Sequence, residues 1–282
     1  QREQRAPSGG LTMDDEKRPL SASSLATYAA CPRKYAFRYV ERLPVPLKAA
    51  ALAFGSAVHS ALQFFHEKRM EGVTLPTEEI LHRFAVDWLS EVAGELHFKE
   101  GEDAASLREQ GETLLRLYVA QHADLPVRAA EWLFEVPLAD VETGEILGLN
   151  LRGVFDLILE GDELVEIKTA ARAYDTGTLA RHLQLSAYAY AYRCAVGPDP
   201  KLRVVALLKQ KKPKLDRYEA SRTRADDAWF VRLAVEVHRG IEAGVFPPNP
   251  GWQCGDCEFA HPCRTWRGPS VVVPADLNRE EI

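Results

Sequence analysis

The chain has 282 residues, 46% of them hydrophobic and 27% charged, a balance that excludes a disordered or fibrous protein. A formal net charge of −6 weighs mildly against phosphate binding, which draws on Lys and Arg. Seven basic residues between Lys201 and Arg217 nevertheless face only Asp216, so a nucleic-acid partner is not excluded.

No apolar run approaches the roughly 18 residues of a membrane span. The opening QREQRAPSGG lacks the apolar stretch of a signal peptide. We therefore expect a cytoplasmic protein with no membrane partner. The first residue is Gln, not Met, and we expect either a trimmed chain or a fragment of a longer gene product.

Residues 1–19 are polar and are expected to be disordered. Ser21 or Ser23 is placed to cap a helix reaching about Tyr39, and Pro32, directly after Cys31, should break it. A second helix is expected from near Phe54, with Val58, Leu62 and Phe65 at helical spacing. Residues 78–122 read as two amphipathic helices split around Gly101. Stretches 131–138, 146–159, 164–169 and 202–209 are rich in Val, Leu, Ile and Phe and read as strands. Helices are expected over 179–195, ended by Gly197 and Pro198, and over about 224–243. The Pro-, Gly- and Cys-rich stretch 247–267 predicts no regular element.

No repeat and no phosphate-cradling Gly-rich loop is present, so the chain carries no nucleotide-driven motor of its own. The pattern predicts an α/β fold in one domain over 20–267. A mainly helical lobe (20–125) precedes an α/β core (126–246) and a cysteine-rich segment (247–267), with a tail at 268–282.

Chemistry concentrates in the segment from Arg152 to Thr169. Along a strand, Glu166 and Lys168 share one face, and Val165 and Ile167 the other. A three-residue turn, Gly161-Asp162-Glu163, would pair Asp156 with Lys168 and leave Leu157 and Leu159 facing Ile167 and Val165. A two-residue turn would put Asp156 on the apolar face, so we predict the former. Two carboxylates on one face suit Mg²⁺ or Mn²⁺, and Lys168 can orient a water or stabilise a charged phosphate. On spacing alone, an exposed Glu–Lys pair on a solvated hairpin fits better. Glu135 is a further acid for which a structural role is favoured.

Five cysteines in a chain without a secretory signal point to ligands and free thiols. Cys254, Cys257 and Cys263 form C-x₂-C-x₅-C in an irregular segment, and a fourth ligand is needed. Cys31 and Cys194 are candidates, although Cys194 reads as a small buried hydrophobe. Spacing alone admits a Zn²⁺ site, which His261 could join.

Together these motifs resemble the PD-(D/E)xK nuclease superfamily, in particular its RecB-type iron–sulfur branch, over about residues 21–267. The resemblance implies a restriction-endonuclease-like core. Asp156 (in Gly153-Val-Phe-Asp156) and Glu166 match the family's metal-binding acids, with the Ile167 backbone carbonyl as a further ligand and Lys168 as the catalytic lysine. His59, in Gly55-Ser-Ala-Val-His59, matches a histidine that joins the metal. Gln184 and Tyr188 match a Gln-x-x-x-Tyr helix motif; Gln184 would orient Lys168, a water or a phosphate, and Tyr188 would bond the DNA backbone or stack on a base.

The lone upstream Cys31 with Cys254, Cys257 and Cys263 implies a [4Fe–4S] cluster stapling the two ends of the domain, with Zn²⁺ as the competing occupant. The implied activity is metal-dependent cleavage of DNA, as an exonuclease on single strands or ends in repair and recombination. A non-catalytic DNA-binding module of a helicase–nuclease complex is the rival. A helicase subunit, or a helicase domain on the same gene product, is the implied protein partner. Lys209, Lys211, Lys212 and Lys214 are the candidate track for the DNA backbone.

Overall fold

The computed structural model describes residues 19–45 and 47–266. The predicted tails therefore lie outside the described residues, Pro19 apart.

Ser21 caps the first helix, α1 (Ala22–Ala30), through a reciprocal pair of bonds with Ser24, the capping box that satisfies two otherwise orphaned donors. Cys31 interrupts the helix in extended conformation, φ −162°. Pro32 then opens α2 (Pro32–Tyr35), which passes into a π turn over Ala36–Val40. The expected break is therefore present, and Pro32 sits at a first helical position, where its missing N–H costs nothing.

After β1 (Lys48–Ala49) come α3 (Ala50–Met70), α4 (Thr77–Val92), β2 (Leu96–His97) and α5 (Ala104–His122). The two predicted helices of 78–122 are thus α4 and α5, split by a loop that holds Gly101 in the left-handed region at φ 78°.

The core strands are β3 (Val127–Ala139), β4 (Ile146–Leu159) and β5 (Glu163–Ala170). Helices α6 (Thr176–Ala180) and α7 (Leu183–Ala195) lead to β6 (Lys201–Leu208), β7 (Lys214–Ala220) and α8 (Arg224–Glu242). A short 3₁₀ turn (Trp252–Cys254) and α9 (Ala260–Thr265) follow. The five-stranded sheet runs β3-β4-β5-β6-β7. It is mixed, because β5 and β6 pair in parallel while the other neighbours are antiparallel. The parallel step requires a helical crossover, which α6 and α7 supply.

Two cores flank the sheet. One gathers Leu25 of α1, Tyr188 and Tyr192 of α7 and Phe230 of α8 against Phe134, Phe155 and Val204. The other gathers Phe54 and Leu62 of α3, Phe84 and Trp88 of α4 and Leu114 of α5 against Leu157, Val165 and Val205. This is an α/β fold with helices on both faces of a mixed sheet. Among the described residues no helix is long and apolar enough to cross a membrane.

The structure corrects four expectations. The helix expected over 179–195 is two helices, because the Arg222 guanidinium takes up the carbonyls of Leu179 (2.7 Å), Ala180 (3.2 Å) and His182 (3.4 Å). Strand β7 was unforeseen; it is an edge strand of alternating charge, Lys214-Leu-Asp-Arg-Tyr-Glu-Ala, and its polar face hides it from a hydrophobicity reading. The stretch 247–267 contains α9 where no regular element was expected. Cys194, expected to be buried, is exposed at the C-terminal end of α7, directly after the continuous buried run Leu185–Arg193.

Candidate active site

A three-residue turn joins β4 to β5, as expected, but it is Glu160-Gly161-Asp162. Gly161 (φ 77°) and Asp162 (φ 59°) take the left-handed conformations that close it. The ladder runs Leu159↔Glu163, Ile158↔Leu164, Leu157↔Val165. The one-residue slide of the turn moves the register by two, so Asp156 falls at the level of Glu166 instead of Lys168. A shift of two preserves faces, and Leu157, Leu159, Val165 and Ile167 share one core as expected. Past Leu157 the strands part. The Ile167 N–H, free of a β4 carbonyl, donates to Asp156 Oδ2 at 2.7 Å.

On the other side of β4, the pairs Ala130↔Leu157 and Trp132↔Phe155 bracket Glu131 and Asp156. Here both strands change core. Leu151 and Phe155 of β4 serve the α7 side, whereas Leu157 and Leu159 serve the α3 side. Phe134, Val136 and Leu138 of β3 belong to the first core and Ala130 packs on the second. Glu131 absorbs the switch at φ 48°, a region where non-glycine residues are strained and which concentrates at functional sites.

Helix α3 brings the third group. It passes β5 at Gly55, where an added Cβ would stand 3.5 Å from Thr169 Oγ1, and one turn on it presents His59. One donor atom from each of His59, Glu131 and Asp156 lies within 4.8 Å of the others. His59 Nδ1 stands 3.9 Å from Glu131 Oε1 and 4.0 Å from Asp156 Oδ2. These gaps are too long for hydrogen bonds and suit ligands sharing one ion. A mixed imidazole and carboxylate set fits Mn²⁺ or Mg²⁺. Burial lowers the His59 pKa, but Glu131 and Asp156 outweigh it and leave it raised.

Glu166 is fully buried. Its Oε1 meets Lys168 in an ion pair but has no hydrogen bond among the described residues. Gln184 ties the group together: its Oε1 accepts from Lys168 Nζ (3.0 Å) and its Nε2 donates to Glu166 Oε2 (3.0 Å) and Tyr188 Oη (3.1 Å). Tyr188 in turn donates to Asp156 Oδ1 at 3.2 Å. Burial, and after it the charge of Glu166, push the Asp156 carboxyl up to about 7. Burial pulls Lys168 down, but Glu166 more than restores it and its pKa is raised.

The structure thus gathers His59, Asp156, Glu166, Lys168, Gln184 and Tyr188. It corrects Tyr188 as a base-stacking or backbone contact, because the ring is only 2% exposed and packs on Phe155 at 5.0 Å. Gly153 explains its place in the motif, since a Cβ there would meet the Phe134 ring at 2.5 Å. Glu131 was overlooked; the one signal was its position opposite Asp156, visible only once the β3–β4 register is known. Glu135 accepts from Asn150 Nδ2 at 3.0 Å, away from the group.

The basic track divides. Lys211 and Lys212 are exposed in the β6–β7 turn. Lys214 is paired with Asp216 at 2.9 Å. The Lys209 side chain is only 7% exposed and stands 4.9 Å over the Phe54 ring, so its assignment to DNA is corrected.

The two ends of the described chain meet at Cys31. Asn249 N–H donates to Cys31 Sγ at 3.4 Å, Asn249 Nδ2 to the Ala30 carbonyl at 2.9 Å, and Arg33 N–H to the Pro247 carbonyl at 3.1 Å. Burial raises the Cys263 thiol, and negative charge on Cys31, Cys257 and Cys254 adds to it. A backbone donor on the Cys31 sulfur suits a thiolate, while among the described residues no three of the four sulfurs lie within 4.8 Å of one another.

A family model described as "PD-(D/E)XK nuclease superfamily" matches residues 19–264. The crystal structure of a "Putative exonuclease" from Eubacterium rectale is similar at a TM-score of 0.57 and 17% identity, covering 98% of this chain and 99% of that chain. That similarity concerns the fold. A second solved structure, described as SSO0001, reaches a TM-score of 0.41 at 15% identity over 86% of this chain and 85% of that one, too little to argue from. A comparison with curated proteins gives no match.

Proposed function

The chain belongs to the PD-(D/E)XK nuclease superfamily, and on that premise we propose that it is a divalent-metal-dependent deoxyribonuclease. The observation that carries this reading is the convergence of His59, Glu131 and Asp156 within 4.8 Å beside the Lys168–Glu166 pair. Bound there, Mg²⁺ or Mn²⁺ would supply Lewis-acid activation of the phosphoryl group and a water of lowered pKa.

The chain's own residues do the rest. Tyr188 and the Ile167 amide fix the Asp156 carboxylate in one rotamer. Glu166 keeps Lys168 charged, and Gln184 aims its ammonium, so that it can hold the attacking water or the developing phosphorane charge without reorganising. The substrate we favour is a single strand or a free DNA end, cut exonucleolytically in repair or recombination, with a helicase subunit or domain as partner. We read Cys31, Cys254, Cys257 and Cys263 as ligands of a [4Fe–4S] cluster, with Zn²⁺ the rival.

Cleavage of end-labelled single-stranded, duplex and circular DNA with Mn²⁺ tests the reading, with Asp156→Ala as control. Loss of cleavage in the variant and protection of circles are expected. Equal activity in Asp156→Ala would sink the catalytic assignment and favour a non-catalytic DNA-binding module.

A further inference from the structure

Arg33 has an unusual environment for a guanidinium. The residue is 7% exposed. Its guanidinium lies between two aromatic faces, 4.4 Å from the Phe37 ring centre and 4.7 Å from that of Trp266. One Nη pairs with Glu41. Its Nε is buried and has no hydrogen-bond partner among the described residues. A buried guanidinium N–H without an acceptor is unfavourable, so this donor is available to one.

Arg33 follows Cys31 by two residues, and Trp266, whose ring lies against its guanidinium, has its N–H on the Cys263 carbonyl at 3.3 Å, so the segments that carry Cys31 and Cys263 meet at this side chain. Four thiolates around one metal centre are net negative whether the occupant is an iron–sulfur core or zinc. Repulsion among them must be offset by charge or by donors to sulfur. Lys34 and Arg38 do not serve that purpose, because both are engaged by Glu258.

We propose that Arg33 is the counter-charge and sulfur hydrogen-bond donor of the four-cysteine centre, clamped for that purpose between Phe37 and Trp266. This rests on reading the cysteines as metal ligands. Glu41 takes up one Nη, which leaves the Nε–H for Cys31 or Cys263 sulfur. Trp266, directly after α9, completes the clamp only when the C-terminal segment is docked. Loading the centre and holding the chain ends together are therefore coupled through this one side chain.

The test uses the full chain purified anaerobically, with iron, acid-labile sulfide and zinc measured. Absorbance near 400 nm is followed on exposure to air, and the midpoint potential is found by dye titration. Arg33→Gln should lose its cluster about tenfold faster. Its potential should move to more negative values, because a lost positive charge disfavours the more reduced, more negative state. A tenfold change in that one-electron equilibrium is about 59 mV.

Arg33→Lys keeps the charge but not the Nε donor, and should shift both readings the same way by about threefold. Arg38→Gln removes a cation that Glu258 already engages and should stay within about twofold of the parent. If the centre holds zinc, release to a chelator replaces the decay in air, with the same ratios expected. A merely structural Arg33 would lower stability and leave the potential, or the zinc release rate, unmoved. That result in a loaded Arg33→Gln protein, or in Arg33→Lys should the first not fold, overturns the role of Arg33 alone. A parent chain with neither iron nor zinc overturns the metal reading and this proposal with it.

Discussion

Glu131 and Asp156 face one another across the β3–β4 ladder, between the pairs Ala130↔Leu157 and Trp132↔Phe155, at the level where both strands pass from one core to the other. The crossing puts two acids on a common site, and Glu131 bears the backbone strain at φ 48°. Glycine takes this conformation freely, whereas alanine keeps the strain. Glu131→Gly should therefore be more stable than Glu131→Ala by about 1 kcal/mol, the reverse of the usual order in a strand. Both should bind Mn²⁺ at least about tenfold more weakly. Chemical denaturation with calorimetric Mn²⁺ titration checks both; an Ala variant more stable than Gly would refute the strain.

Asp156 predicts a pH dependence. Its carboxyl is raised from 3.8 to about 7 by burial and by Glu166, so the native state holds the proton more tightly than the unfolded chain. The metal-free protein should lose stability as pH rises from about 4 to about 7, with a slope of at most about 1.4 kcal/mol per pH unit and a total of a few kcal/mol. Mn²⁺ needs the ionised form, so its stabilising effect should be larger at pH 8 than at pH 5.5. Asp156→Asn should flatten the metal-free profile and abolish the response to Mn²⁺. Melting curves across pH, with and without the ion, decide it.

How much of this was legible beforehand follows from what each signal depends on. Amphipathic helices α3, α4, α5 and α8 and strands β4, β5 and β6 announce themselves because their periodicity is local. The common face of Asp156 and Glu166 was legible because any odd-length turn preserves it. The turn position was not, since the left-handed preference of Gly161 and Asp162 had to compete with the pairing of Glu163. Glu131 was illegible because its partner is 25 residues away in a ladder, and no spacing encodes a register across a loop of that kind. Lys209 misled because a basic run does not reveal which ammonium folds back over an aromatic ring.

The proposed function makes Tyr188 a residue that positions Asp156, not a DNA contact, and the two roles can be separated. Tyr188→Phe keeps the ring packed on Phe155 but removes the donor to Asp156 Oδ1. Activity should fall about tenfold, and the acid limb of the rate profile should move to higher pH, because an ionised Asp156 loses one hydrogen bond. DNA affinity without metal should not change. Gln184→Leu should be more severe, since it strips Glu166 Oε2 and Lys168 Nζ of their shared partner. A Tyr188→Phe enzyme with weaker DNA binding and an unmoved pH profile would return this residue to the substrate surface.

Lys209 and the pair Lys211 and Lys212 should behave oppositely despite their adjacency. Lys209 lies over Phe54 and 3.9 Å from Glu102, with its own N–H bonded to the Ala170 carbonyl at 2.8 Å. It fastens the end of β6 to α3. Lys209→Ala should cost about 1–2 kcal/mol through the lost stem burial and cation–π contact and leave the salt dependence of DNA binding intact. Lys211 and Lys212 protrude from a turn at the end of the sheet that carries Lys168, which pairs with Ala206 while Ala170 pairs with Leu208. Each phosphate they neutralise contributes about 0.7 to the slope of log affinity against log salt for a single strand. The double alanine variant should therefore lower that slope by up to about 1.4 with little effect on stability. An unchanged slope would move the DNA track off the β6–β7 turn.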